Sequence, residues 1–174
     1  LEDGGATPLV AAVVKEKGLL GGRLGLEYNC YALNVGYYVA LTAALGPQTE
    51  LTDSSEVLGW LRVAKSDAEV AYVRQAQTHN LAGIDAAMAT ARPGITEIQW
   101  AGEIEHALRG SGSDYSAMPT WIWSGERTSI GHATPTAKLL NDNEPAMFSF
   151  AGVAQRYHVS TYHTIHFGAP SLRL

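Results

Sequence analysis

The sequence predicts an α+β fold. Between residues 66 and 108 two capping boxes each open a stretch with a helical apolar period, and from residue 121 onward the apolar period changes to two. Two helices followed by a sheet, rather than alternating with strands, give an α+β half-domain.

The elements follow in order. Residues 9–17 predict a short helix, and GGRLGLEYN (21–29) predicts a strand after a glycine turn, with Leu24 and Leu26 alternating against polar neighbours. VGYYVALTAALG (35–46) reads as an apolar helix closed by Gly46 and Pro47, and SSEVLGWLR (54–62) as a further short helix. Together they make a small α/β segment. Ser66 with Glu69 then forms the first capping box, and Val70, Val73, Leu81, Ile84 and Met88 are assigned to the buried face of one long helix ending at Pro93-Gly94. Thr96 with Gln99 forms the second, and Ile98, Ala101, Ile104 or Glu105, and Leu108 continue a helix to GSGS. WIW (121–123), AMFSFAG (146–152) and RYHVSTYHTIHFG (156–168) are strands, the last two close enough to pair antiparallel. In the final strand Tyr157, Val159, Thr161, His163, Ile165 and Phe167 face one way, and His158, Ser160, Tyr162, Thr164 and His166 the other.

Composition bounds the partners. With 174 residues and 46% hydrophobic side chains the chain can bury a core. Twelve basic against 17 acidic side chains give a net charge of -5 with no lysine/arginine cluster, which argues against nucleic acid. The longest early apolar run, LVAAVV (9–14), is too short to span a bilayer and follows the acidic LEDGG, so neither a membrane anchor nor a signal peptide is expected. The single cysteine, Cys30, suits a reducing compartment, and the protein is expected to be cytoplasmic. A chain that opens on Leu1 is expected to be a piece of a longer protein.

Candidate chemistry centres on TSIGHATPT (128–136), whose one acid/base group is His132. An imidazole can take a proton from water and return it to a leaving nitrogen near neutral pH. If WIW is a strand, Trp121 and Trp123 point the same way and make an aromatic face able to stack on a small cationic or cyclic substrate, with core packing expected of at least one of them. Glu126 and Arg127 read as solvated loop charges. His158, His163 and His166 tempt a metal reading, but His163 points away from the other two, so no metal site is expected from them.

Four segments carry a resemblance: LRVAKSDAEVAYVRQA (61–76), RPGITEIQWAGEIEHAL (92–108), SGERTSIGHATP (124–135) and FSFAGVAQRYHVSTYHTIHFG (148–168). In order and spacing they resemble the pita-bread catalytic domain shared by methionine aminopeptidase, prolidase, aminopeptidase P and creatinase. Arg62, Lys65, Ser66 and Glu69 match the pattern that opens the family's first helix. The resemblance implies two domains: residues 1–60 as the C-terminal part of a creatinase/prolidase-type N-terminal domain, and 61–174 as the first half of a pita-bread catalytic domain. It also implies a homodimer and a small-molecule substrate.

The metal-dependent members hold a pair of divalent cations with two aspartates eleven residues apart, and those positions are here Ser149 and Ser160. Neutral hydroxyls cannot offset two cations in close proximity, so no metal and no other cofactor is expected. Creatinase and the similar ectoine hydrolases have also lost these ligands and cleave a C–N bond without metal. TWIWSGERTSIGHATP (120–135) and EPAMFSFAGVAQRYH (144–158) resemble that branch most.

The resemblance thus implies a metal-independent C–N hydrolase acting on a small amidine or amide. His132 is its candidate general base and acid, and Trp121, Trp123, Tyr157, His158, Ser149 and Ser160 are candidate substrate contacts. The carboxylates that orient water in the family fall in the second half of the domain, beyond this chain. Two alternatives stay open: a metal-dependent Xaa-Pro peptidase, which Ser149 and Ser160 oppose, and a catalytically inactive pita-bread domain retained for binding.

Overall fold

The structure, a computed structural model, describes residues 6–170; the LEDGG stretch weighed above lies outside them. The chain divides into two compact units, Leu1–Ala64 and Lys65–Leu174.

The first unit contains helix α1 (Thr7–Glu16), strand β1 (Arg23–Leu26), helix α2 (Val35–Leu45), strand β2 (Glu50–Asp53) and helix α3 (Ser55–Val63). Asn34 caps α2 by accepting the Tyr37 amide, and Gly46, at φ 77°, ends it in a conformation that glycine adopts without strain. That helix is the crossover joining β1 to β2, which pair in parallel with Leu24 opposite Leu51. Leu41 and Leu45 on α2 are buried. β2 was not anticipated. ELTD has little apolar alternation of its own, and it is a strand because β1 lies alongside it.

The second unit places helices α4 (Asp67–Thr90) and α5 (Glu97–Gly110) against a three-stranded antiparallel sheet. Its strands are β3 (Trp121–Ser124), β4 (Pro145–Ala154) and β5 (Tyr157–His166), in the order β3-β4-β5. Both capping boxes are present, with the Ser66 and Thr96 side chains accepting from the third helical amide. The core joins Trp100, Ile104 and Leu108 of α5 to Ile122, Phe148 and Phe150 of the sheet. Trp100 satisfies its buried indole N–H by donating to the Ala87 carbonyl at 2.9 Å.

One face assignment needs correction. The buried side of α4 is Ala76, His79, Asn80, Gly83 and Ala87, whereas Leu81 and Met88 are exposed. The packed face is turned by roughly 100°, one residue's rotation, from the apolar stripe read in the sequence. Small residues are needed there because α4 sits against the sheet backbone. A Cβ on Gly152 of β4 would lie 2.3 Å from the Asn80 amide nitrogen and 2.4 Å from the Ala76 carbonyl oxygen. Similarly, Ile98 on α5 is exposed, and its place in the core is taken by Trp100.

β4 and β5 join through a two-residue turn, Gln155-Arg156, with both φ angles positive at 49° and 67°, the sign pattern of a type I′ hairpin. Arg156 is fixed there by donating to the Tyr115 carbonyl and lying over its ring at 4.1 Å. Among the described residues no helix is long and apolar enough to cross a membrane.

Candidate active site

Residues directly opposite in an antiparallel pair share a face, so the register sorts the sheet. Ile122, Phe148 and Phe150 look toward the helices. Trp121, Trp123, Met147, Ser149, Ala151, Ser160, Tyr162 and Thr164 occupy the opposite face. Trp121 stands opposite Ser149, which stands opposite Tyr162, and Ser160 lies one pair along, opposite Ala151.

His132 reaches this face from the loop that follows β3. Its ring stacks on Trp121, centroids 4.0 Å apart and planes 23° from parallel, and its centroid is 6.4 Å from that of Tyr162. The backbone at His132 has φ 60°, in the left-handed region that costs a non-glycine residue free energy. Ser149 is fully buried, and neither its hydroxyl nor the indole N–H of the nearly buried Trp123 has a hydrogen-bond partner. Ser160 is exposed, and Tyr162 contacts Trp123 edge-on at 6.2 Å between centroids. An aromatic wall thus borders two hydroxyls, with one imidazole at its rim.

Two candidate residues lie apart from this group. Tyr157 is on the helix side, where its hydroxyl donates to Glu69 at 2.8 Å and its ring stacks on Tyr72 at 5.7 Å. His158 shares the site face but sits at the turn end. Its Nε2 accepts from the Ala117 amide at 3.1 Å, which leaves Nδ1 to donate to the Arg156 carbonyl at 2.8 Å. His163 packs on Phe148 on the far face, ring centroids 5.2 Å apart. Beyond Thr120 and Ala151, Arg109, Asp114 and Ser116 line a cavity of about 330 Å³ to which none of the candidate site residues contributes.

The sequence reading missed the support beneath the His132 loop. Glu97 is fully buried, and Arg127, read as a solvated charge, forms an ion pair with it. Ser124 donates to Glu97 and accepts from Lys138 at 2.9 Å, and Lys138 in turn pairs with Glu144 at 2.5 Å. Burial pushes the Glu144 carboxyl up, but Lys138 and Asn141 outweigh it and hold the group below its ordinary value. Nothing in the pattern around Glu97 marks it, since the first position of a helix is normally solvated. Tyr162 had a signal: it follows Ser160 by two in a strand.

Residues 71–173 match the model of metallopeptidase family M24. The chain belongs to metallopeptidase family M24. The resemblance drawn from the sequence and the α+β architecture are therefore those of the family. This M24 chain is 28% identical over 151 residues to a Sinorhizobium fredii protein named as an uncharacterized hydrolase/peptidase, covering 84% of the chain and 38% of that relative. It is 25% identical over 171 residues to the ectoine hydrolase of Halomonas elongata, covering 93% of the chain and 43% of the relative. The solved Xaa-Pro dipeptidase from Bacillus anthracis superposes with a TM-score of 0.83 at 27% identity, over 96% of this chain and 45% of that one. The M24 chain spans about two fifths of the length of the curated relatives it matches.

The family name implies a metal, and the described residues do not fit one. The described site face carries no carboxylate, Ser149 and Ser160 stand where the resemblance places the family's metal-binding aspartates, and no three His, Cys, Asp or Glu side chains cluster among the described residues.

Proposed function

We propose that the protein is a metal-independent C–N hydrolase acting on a small amidine or amide, with His132 as general base and then general acid. The observation that carries the reading is the arrangement of Ser149 and Ser160 against an aromatic wall with His132 at its edge. Uncharged hydroxyls there favour substrate hydrogen bonds over cation binding. The similarity to an ectoine hydrolase supports the same branch.

In this mechanism His132 takes a proton from water, the water oxygen bonds to the substrate carbon, the C–N bond breaks, and His132 returns the proton to the departing nitrogen. Trp121 holds the imidazole by its face, leaving the ring edge, where both nitrogens lie, free for proton transfer. The buried Ser149 hydroxyl and Trp123 N–H are left for a polar group of the substrate. The resemblance assigns the orienting of the water to carboxylates of the second half of the pita-bread domain. In this proposal residues 1–60 belong to an N-terminal domain of the creatinase/prolidase type, and the whole protein is a cytoplasmic homodimer. A net charge of -5 without a basic cluster is consistent with a small-molecule substrate rather than nucleic acid or a membrane surface.

The experiment is to follow amine or ammonia release by the intact protein from a panel of small amides and amidines in excess chelator. Turnover that survives chelation and is lost in His132→Ala supports the reading. Turnover that requires restored Mn, Co or Zn overturns it in favour of a metal-dependent Xaa-Pro peptidase, and absence of turnover on every substrate, with retained ligand binding, in favour of a binding domain.

A further inference from the structure

Glu97 opens α5 immediately after its cap, a position where a charged side chain ordinarily points into water, yet it is fully buried. Its Oε1 accepts the backbone N–H and the hydroxyl of Ser124, both at 2.9 Å. Its Oε2 accepts the Arg127 guanidinium together with the Thr136 N–H at 3.0 Å and the Thr136 hydroxyl at 2.8 Å. Arg127 also reaches the Thr134 carbonyl at 2.8 Å. The partners therefore come from both sides of His132: Ser124 and Arg127 precede it, and Thr134 and Thr136 follow. One carboxylate closes the base of a loop whose exposed tip carries the imidazole.

We infer that Glu97 is a positioning residue: by cinching the two ends of the 124–136 loop it sets where the His132 ring stands against Trp121. The inference rests on the reading of His132 as the acid/base group. Its physical ground is that the left-handed backbone at His132 persists only where the surroundings over-determine it. Thr128 to the Gly125 carbonyl and Ser129 to that of Glu126 stiffen the 3₁₀ turn 125–129 locally. At the base, Ile98 donates its N–H to the Thr136 carbonyl at 3.2 Å, Lys138 donates to the Ser124 hydroxyl at 2.9 Å and Arg127 to the Thr136 hydroxyl at 3.1 Å. The Glu97 carboxylate adds the point at which Ser124, Arg127 and Thr136 meet on α5. A glutamine there keeps the size but turns an N–H₂ toward donors, so one side of the loop base must let go.

The test uses the intact protein labelled with ¹³C-histidine. In the parent, stacking on Trp121 moves the His132 ring protons upfield through the indole ring current. Glu97→Gln is expected to abolish most of that displacement and to lower kcat about 100-fold while KM changes by no more than about threefold, the pattern of a misplaced catalytic group. Where Glu97→Gln does not fold, Arg127→Met and Thr136→Val each release one part of the base and are read the same way, with Glu126→Gln on the exposed side of the loop as the unaffected control. A folded Glu97→Gln, or both single-side variants, with His132 still shifted upfield and kcat unchanged overturns the inference. The hydrolase reading fails separately, on His132→Ala with undiminished turnover, and the ring-current result does not depend on it.

Discussion

The imidazole of His132 lies face to face on the indole of Trp121, 4.0 Å between centroids, on a backbone held at φ 60°. The two facts set opposite demands at one position. Stacking of this kind contributes about 0.5–1.5 kcal/mol, while the left-handed backbone of a non-glycine residue costs about 1–2 kcal/mol. Chemical denaturation is expected to find His132→Gly more stable than His132→Ala by about 1 kcal/mol, because both lose the stack and only glycine relaxes the backbone. Equal midpoints for the two variants would show that the loop is not strained. Trp121→Leu, which removes the stack alone, is expected to lower turnover about tenfold.

Ser149 offers a second separation of stability from activity. Its hydroxyl is buried with nothing to bond, and an unsatisfied buried group of this kind costs about 1–3 kcal/mol. Ser149→Ala is expected to raise unfolding free energy by about 1 kcal/mol and to reduce kcat/KM. A variant unchanged in both would remove Ser149 from the site.

The junction of α4 and the sheet gives a third expectation. At Gly152 a methyl group meets helix backbone that has no rotamer to yield, so Gly152→Ala is expected to cost about 3 kcal/mol, read as a lower denaturant midpoint. Gly94→Ala is a useful contrast. A Cβ at Gly94 meets nothing within 4 Å, and its φ of 90° leaves backbone strain as the whole effect.

The pH dependence of stability has a definite sign at Glu69. The Ser66 amide, then the Ser66 hydroxyl, then the Tyr157 hydroxyl bond its carboxylate and lower its pKa from 4.5 to about 2. A depressed folded value means the stabilisation is present above the unfolded pKa and is lost as pH falls from about 4.5 through about 2. Thermal melts of the parent and Glu69→Gln are expected to differ at pH 7 and to converge by about pH 2. A constant gap down to that pH would mean the capping box acts through shape rather than charge.

Legibility in the sequence followed the range of each interaction. Ser66 with Glu69 and Thr96 with Gln99 are three residues apart, so both helix starts could be read directly, and the two-residue period of the last strand correctly put Ser160 and His158 on one face and His163 on the other. What escaped depends on contacts between distant residues. The small-residue face of α4 is dictated by Gly152, more than sixty positions away, and β2 exists because of β1 across a whole helix. At the candidate site Trp121, Trp123, Ser149 and Ser160 fall on one face, while Tyr157 is diverted to Glu69. Glu97 was invisible for the same reason, since its partners lie 27 to 39 residues further along.

The Gln155-Arg156 turn has a consequence for how this family member can vary. Ten consecutive residue pairs of β4 and β5 are counted off from that turn. A single residue added to β5 beside it would invert every side chain beyond the insertion, sending Ser160 and Tyr162 into the helices and Thr161 and His163 out to the aromatic wall. Length, more than composition, is what this hairpin must preserve: residues can be exchanged along it one by one, but the distance from the turn to each serine keeps odd and even apart.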